Sequence, residues 1–267
     1  MQIVERKEAQ ASAWRGTVGA NDTPATLTVT SEDGTQVAKL RDLTEGDRVE
    51  LTADVAATLT MAYPQTLAAL TVKGIGSLTL KGQPLIVTEA ANVASGALFV
   101  EDGALRGDVG VASGATLGFS GETAQTFADR VSGQGTVRVA AGADVTLTNV
   151  ANEWSGGAEA LGTLRFAGAG TLGAGAVTVR AGGVFDLNGY PCAQAVTLDG
   201  GTLANTEPPL VASLNLNSGS GKLGASDVGG LVPMRGEYWT NVTATSGSTP
   251  LDFVEQPSIA VSGASKR

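Results

Sequence analysis

Acidic side chains are the first groups in this sequence whose placement could support chemistry. Two carboxylates held about 5–9 Å apart can cleave a glycosidic bond. Carboxylates in turns also bond to nearby backbone N–H groups and are solvated there, with no catalytic role. We expect the turn role, because the basic residues that many polysaccharide lyases also use are sparse in the centre of the chain. The acidic candidates are Glu32, Asp33, Glu101, Asp102, Asp186 and Asp199.

Histidine is absent from the chain, and Cys192 is its one cysteine. Nucleophiles activated by histidine and ordinary zinc sites are therefore excluded. Cys192 has no neighbouring base, so we expect a small buried apolar group, and one cysteine cannot form an intrachain disulfide. Asp186 and Asn188 make one acidic turn, which is not enough for a calcium site. We predict no catalytic residue, no metal, no cofactor and no enzymatic activity.

Three arginines are candidates for binding an acidic partner. Arg138, Arg165 and Arg180 each stand among apolar residues in a strand-like segment, in the sequences TVRV, TLRF and TVRA. If these segments stack, the three guanidinium groups line up as a ladder on one outer face, and such a ladder could bind an acidic glycan. The alternative is that they occupy the solvated outward positions of alternating strands.

Aromatic residues make up only 4% of the chain, and their rings could stack on sugars. Tyr238 and Trp239 are adjacent, so we expect one of them to point outward and to contact a partner. The alternative is that both are buried in a terminal cap. The other aromatic candidates are Trp14, Tyr63, Trp154 and Tyr190.

The elements that must position these residues follow from a repeat. A glycine followed by apolar residues at alternate positions recurs at Gly76, Gly96, Gly114, Gly142, Gly162, Gly182, Gly200 and Gly219. Successive glycines are 18–20 residues apart, except for the 28 residues between Gly114 and Gly142, where the strand-like piece GQGTVRV is added. Alternation of apolar and polar residues is typical of a strand with one buried face, and glycine between strands is typical of a turn.

Short strands, glycine turns and a period of 18–20 residues predict an all-β parallel β-helix, a solenoid with about eight coils and capped ends. We divide the chain into an N-terminal β cap or small β domain at 1–58, parallel β-helix repeats at 59–228, and a C-terminal cap or linker at 229–267. Inward Val, Leu and Phe side chains should form ladders along the interior, with Val179 and Phe185 among them.

Residues 133–205 also carry a family likeness. They contain the strand GQGTVRV, the turn NEWSGG, the strand ALGTLRF and the segment AVTLDGGTLAN, and the turn is formed by Asn152, Trp154, Ser155, Gly156 and Gly157. This region resembles the autotransporter-associated β-strand repeat, also called the passenger-associated transport repeat. The resemblance implies a right-handed parallel β-helix in a passenger region exported to a bacterial surface, and a structural role for Trp154 in its turn.

Composition narrows the range of partners. The net charge is −9 and no run of Lys or Arg occurs, so we expect neither nucleic acid nor an anionic membrane as partner. No apolar stretch reaches the ~18 residues of a membrane helix. The first residues are charged and lack the apolar centre of a secretory signal, so we expect a fragment, a released passenger or a member of another lineage.

We therefore predict a non-enzymatic β-helical scaffold or adhesin-like passenger, secreted or displayed on a bacterial surface. The expected partner is a glycan or another surface protein, and the expected state is a monomer. The first alternative is a virion decoration or tail protein, for which a trimer is expected. The second alternative is a polysaccharide-degrading enzyme.

Overall fold

The chain folds into three β-sheets that wind around one apolar interior, as a parallel β-solenoid of about eight turns. The computed structural model describes residues 13–168, 173–190 and 192–204 with their side chains, and three further strands by their backbone. No α-helix occurs in this part of the chain, where the helical segment is a 3-10 turn at Leu40–Asp42. The predicted all-β solenoid is therefore confirmed.

Successive turns of the solenoid pair in parallel: the first turns contribute strands to sheets 1 and 2, the middle turns to all three sheets, and the turns after Trp154 to sheets 2 and 3. Sheet 1 contains β1 (Ala13–Thr17), β4 (Arg48–Thr52), β6 (Gln65–Lys73), β8 (Leu85–Val93), β10 (Leu105–Arg106), β11 (Val109–Val111), β14 (Val131–Gly133) and β17 (Glu153–Trp154), and is extended by the hairpin β2 (Thr28–Ser31) and β3 (Val37–Lys39). Sheet 2 contains β5 (Ala56–Met61), β7 (Ser77–Gly82), β9 (Ala97–Glu101), β12 (Thr116–Ser120), β15 (Thr136–Val139), β18 (Ala158–Ala160), β20 (Val177–Arg180), β22 (Cys192–Asp199), β24 (Val211–Leu216) and β26 (Val242–Ala244). Sheet 3 contains β13 (Ala124–Phe127), β16 (Asp144–Leu147), β19 (Thr163–Phe166), β21 (Val184–Asp186), β23 (Thr202–Ala204) and β25 (Lys222–Gly224).

The interior is built from rows of apolar side chains that lie one above another in successive turns. One buried row of sheet 2 consists of Leu98, Leu117, Val137, Ala158, Val177 and Val196. Burial of each large side chain contributes about 1.5–3 kcal/mol, so the stacking of turns is the main source of stability. Val179 and Phe185 are completely buried, which confirms the predicted inward register.

The irregular spacing in the glycine series has a structural cause. Gly76, Gly96 and Gly114 precede strands of sheet 2, whereas Gly142, Gly162, Gly182 and Gly200 precede strands of sheet 3. Thr116 pairs with Thr136, which is one turn of 20 residues. The step from Thr136 to Asp144 then adds 8 residues, since it crosses from sheet 2 to sheet 3. The TVRV part of GQGTVRV is thus a regular strand of sheet 2, β15. Gly219 lies outside the described residues.

Parallel pairing begins earlier than residue 59. Trp14 of β1 pairs with Val49 of β4, inside the segment predicted as an N-terminal cap or small β domain. Beyond β1, sheet 1 continues into the β2–β3 hairpin, which is antiparallel. Next to sheet 2, the N–H of Asp22 donates to the carbonyl of Thr58 at 2.7 Å, so this chain segment lies against β5.

The predicted C-terminal cap or linker is described only at β26, which pairs in parallel with β24. Tyr238 and Trp239 lie outside the described residues, so their predicted contact with a partner stays a prediction.

The glycines of the repeat have two different functions. Gly142 is a turn residue: the N–H of Ala143 donates to the carbonyl of Ala140 at 3.1 Å, and Gly142 has a φ of +83°, as a type II turn requires. Gly162 is a close-approach residue, because a Cβ there would lie 2.3 Å from the carbonyl oxygens of Ala140 and Ala143 in the previous turn. Positive φ is shared by Gly96, Gly114, Gly142, Gly157, Gly182 and Gly200.

We predict that Gly162→Ala lowers the free energy of unfolding by about 2 kcal/mol or more, because backbone of the neighbouring turn must move to accept the methyl group. Gly142→Asn is the matched control: it faces open space, and Asn tolerates positive φ, so we expect a change below about 1 kcal/mol. Urea unfolding of both variants measures the difference. Equal destabilisation by the two substitutions would show that close approach of the turns is not limiting.

Candidate functional site on the outer faces of the solenoid

The three candidate arginines do not share one face. Arg138 in β15 and Arg180 in β20 belong to sheet 2, whereas Arg165 in β19 belongs to sheet 3. The expectation of a single three-arginine ladder is therefore wrong. It failed because the glycine series, and with it the apparent alignment of the three segments, passes from one sheet to another.

On sheet 2, two of the arginines share the carboxylate of Glu159, which lies between them in β18. Nε of Arg138 is 3.3 Å from Oε2 of Glu159, and Nε of Arg180 donates to Oε1 at 2.8 Å. Arg180 also donates from Nη1 to Oδ2 of Asp199 at 2.6 Å, in the following turn. Hydrogen bonds to Glu159 and then to Asp199 raise the pKa of the Arg180 guanidinium above its ordinary value.

On sheet 3, Arg165 lies between two aspartates of adjacent turns. It donates from Nε to Oδ2 of Asp186 at 2.9 Å and from Nη1 to Oδ1 of Asp144 at 3.1 Å. Asp186 is only 1% exposed and also accepts the N–H of Asn188 at 2.8 Å. The bond to Asp186 is the largest cause that raises the pKa of Arg165. A buried carboxylate with a charged partner and a backbone donor is a structural anchor.

Sequence analysis singled out Asp186 and Asp199 but not their pairing with the arginines, and it missed Glu159 and Asp144, although a signal for the pairing was present. In both sheets the sign of the charge alternates at intervals of 21 residues, which is one turn of the solenoid: Arg138, Glu159 and Arg180 on sheet 2, and Asp144, Arg165 and Asp186 on sheet 3. Because Arg165 and Arg180 are hydrogen-bonded to carboxylates of neighbouring turns, an acidic glycan would have to compete with those carboxylates there.

The segment Asn152–Gly157 connects three successive coils of the solenoid by hydrogen bonds. Oδ1 of Asn152 accepts the N–H of Val131 at 2.7 Å, and the N–H of Ser155 donates to the carbonyl of Gly133 at 2.9 Å. Trp154 is buried, and its Nε1 donates to the carbonyl of Gly157 at 3.1 Å. A Cβ at Gly156 would lie 2.3 Å from two carbonyl oxygens of the preceding turn. This geometry suits a structural turn and offers no ring surface to a ligand.

The remaining aromatic candidates lie apart. Trp14 is buried and donates from Nε1 to Oδ1 of Asp47 at 3.0 Å, whereas Tyr63 and Tyr190 are exposed. An aromatic residue that sequence analysis did not single out is Phe99, whose ring lies over Gly118 of the next turn. Its outward direction could have been read from the alternation in ALFV, since Leu98 and Val100 on either side face the interior.

Most acidic candidates are bonded within the fold. Asp33 accepts the hydroxyl of Ser31 at 2.6 Å and donors of Thr35, and these bonds lower its pKa to about 2. Asp102 accepts the N–H of Thr123 at 3.2 Å in the next turn, together with its hydroxyl. Glu32 pairs with Arg15 at 2.7 Å. Asp33 and Asp102 therefore bond to nearby backbone, as we expected of carboxylates in turns, whereas the ion pair of Glu32 was not expected.

Among residues 13–168, 173–190 and 192–204, no group of three or more Cys, Asp or Glu side chains is placed to hold a metal ion. In the same residues, no helix has the length and apolar character needed to cross a membrane.

Comparison with protein-family models, with curated proteins and with solved structures found no significant match to this chain. The structure therefore establishes the class, a parallel β-solenoid. Membership of the autotransporter-associated repeat family stays a prediction from the sequence.

We predict that Asp186→Ala lowers the free energy of unfolding by about 1–3 kcal/mol, because it removes a buried acceptor from Arg165 and from the N–H of Asn188. Glu153→Ala is the matched control, since Glu153 forms an exposed pair with Arg130 at 3.3 Å, and we expect a loss of at most about 1 kcal/mol. Chemical denaturation compares the two. A loss for Asp186→Ala no larger than that of the control would contradict an anchoring role.

Cys192 is predicted to be inert in the folded protein. It is 2% exposed, and burial raises the pKa of its thiol to about 11, so the reactive thiolate is scarce at neutral pH. A disulfide reagent such as dithionitrobenzoate should label it at pH 8 only in denaturant. Stoichiometric labelling within minutes without denaturant would show that this part of β22 opens readily.

Proposed function

We propose that this chain is a non-enzymatic scaffold of a secreted or surface-displayed bacterial protein, which presents its outer faces to a glycan or to another surface protein. The observation that carries the proposal is that the charged outer residues are bonded to one another between neighbouring turns. The acidic groups that a glycosidase could use are bonded to neighbouring turns, as with Asp102 to Thr123, Asp186 to Arg165 and Asp199 to Arg180.

Two further features support this function. An interior of stacked apolar rows makes a stiff, elongated support, because each turn is held by burial against its neighbours. The turn Asn152–Gly157 and the strands around it resemble the repeats of exported passenger regions, and the same turn bonds to the preceding turn of the solenoid. A fold of this class also hosts enzymes, so fold alone would not decide the matter.

The test is to incubate the chain with a panel of neutral and acidic polysaccharides and to follow both retention and chain length. We expect retention of at least one polysaccharide, or of a surface protein in a parallel pull-down on intact bacteria, without any shortening of the polymer. Size-exclusion chromatography with mass spectrometry of the sugars measures both outcomes.

Two results would contradict the proposal. Shorter oligosaccharides in the products would favour the polysaccharide-degrading alternative. Light scattering of the same sample gives the assembly state: a mass near 26.7 kDa agrees with a passenger-type rod, and a closed trimer would favour the virion alternative.

A further inference from the structure

A groove of about 230 Å³ lies on the outer face of sheet 1 near its N-terminal end. It crosses the four strands β1, β4, β6 and β8, and Glu32, which follows β2, also lines it. Neither the arginine pairs of β15, β19 and β20 nor the Asn152–Gly157 turn contributes to it. The groove is therefore a separate candidate site.

The depth of the groove comes from the order of large and small outward side chains. Ala13, Arg48 and Ala69 form one row across three strands. The short side chains of Ala13 and Ala69 leave space on both sides of Arg48. A second row runs beside it through Arg15, Glu50, Thr71 and Asn92, whose longer side chains form a wall.

The charges along the groove balance. Arg15 pairs with Glu32 at 2.7 Å and with Glu50 at 3.6 Å, and Arg48 pairs with Glu89. Two arginines and two glutamates line the groove, so a ligand with a net charge of either sign gains little attraction from it. The paired groups still keep hydrogen-bonding capacity, because a guanidinium has five N–H donors and a carboxylate has about four acceptor positions.

The groove also holds polar groups that the fold leaves unused. Among the described residues, no hydrogen bond uses the hydroxyl of Thr71 or the side-chain amide of Asn92, and both side chains line the groove. Donors and acceptors thus lie side by side in a site without net charge. Adjacent hydroxyls of a sugar, each a donor and an acceptor, match such a set.

We propose that this groove binds one ring of a neutral glycan, an inference that rests on the proposed function and names its ligand and its site. The volume is just below the range of about 300–1,000 Å³ for pockets of drug-sized ligands, which suits a single sugar ring with its neighbours extending into solvent. An acidic glycan is the poorer ligand, because the balanced charges give it no net attraction and its carboxylates would have to displace Glu32 and Glu50 from Arg15.

The test is a titration of the whole chain with neutral gluco-, galacto- and manno-oligosaccharides and with oligogalacturonate, by calorimetry and saturation-transfer NMR. We expect binding of at least one neutral oligosaccharide and none of oligogalacturonate. Ala69→Leu, which fills the floor, should weaken that binding at least tenfold, and Asn92→Ala should weaken it about threefold to tenfold.

Ala90→Leu is the matched control, because Ala90 follows Ala69 in the same row, one turn further on, and does not line the groove. It should bind within twofold of the unchanged protein, and melting curves of all three variants should coincide. Equal binding by Ala69→Leu and Ala90→Leu would overturn the site while leaving a glycan-binding scaffold in place. Binding of oligogalacturonate alone would overturn the proposal. Binding of no oligosaccharide would also overturn it, and a protein would then remain as the partner of the scaffold.

Discussion

The structure depends on one constraint, the in-register stacking of each turn on the one before. Rows of buried Leu, Val and Ala side chains lie one strand spacing apart, at about 4.8 Å, and the same register fixes which residues face outward. Glycine is required where backbones of adjacent turns come closest, as at Gly162. The burial of the interior, the glycine positions and the pairing of the outer charges therefore all follow from the register between successive turns.

Stacking also explains why the outer charges pair as they do. A side chain on an outer face has its nearest neighbours directly above and below it, one turn away. Arg165 consequently meets Asp144 and Asp186, and Arg180 meets Glu159 and Asp199. Individual exposed ion pairs stabilise a protein little. Asp186 is buried, so its pair with Arg165 contributes more than the exposed pairs to the contact between two turns.

Much of the fold could be predicted from the sequence, because period-2 alternation and a glycine period record burial and turns directly. The inward positions of Val179 and Phe185 follow from that pattern alone. The assignment of each strand to a sheet could not be read in this way, since a glycine precedes strands of two different sheets, and Arg165 was misplaced for that reason. The groove was also out of reach, because it is formed by residues from four turns and by Glu32 beside the hairpin.

The alternating charges restrict how such a protein can change its length. Deletion of the single turn that carries Glu159 and Arg165 would bring Arg138 against Arg180 and Asp144 against Asp186, like against like. Loss of two turns on sheet 2 would instead set Arg138 against Asp199, an opposite pair. The charge pattern of sheet 2 therefore repeats every two turns, so a solenoid shortened there by two turns keeps opposite charges in contact, whereas one shortened by a single turn does not.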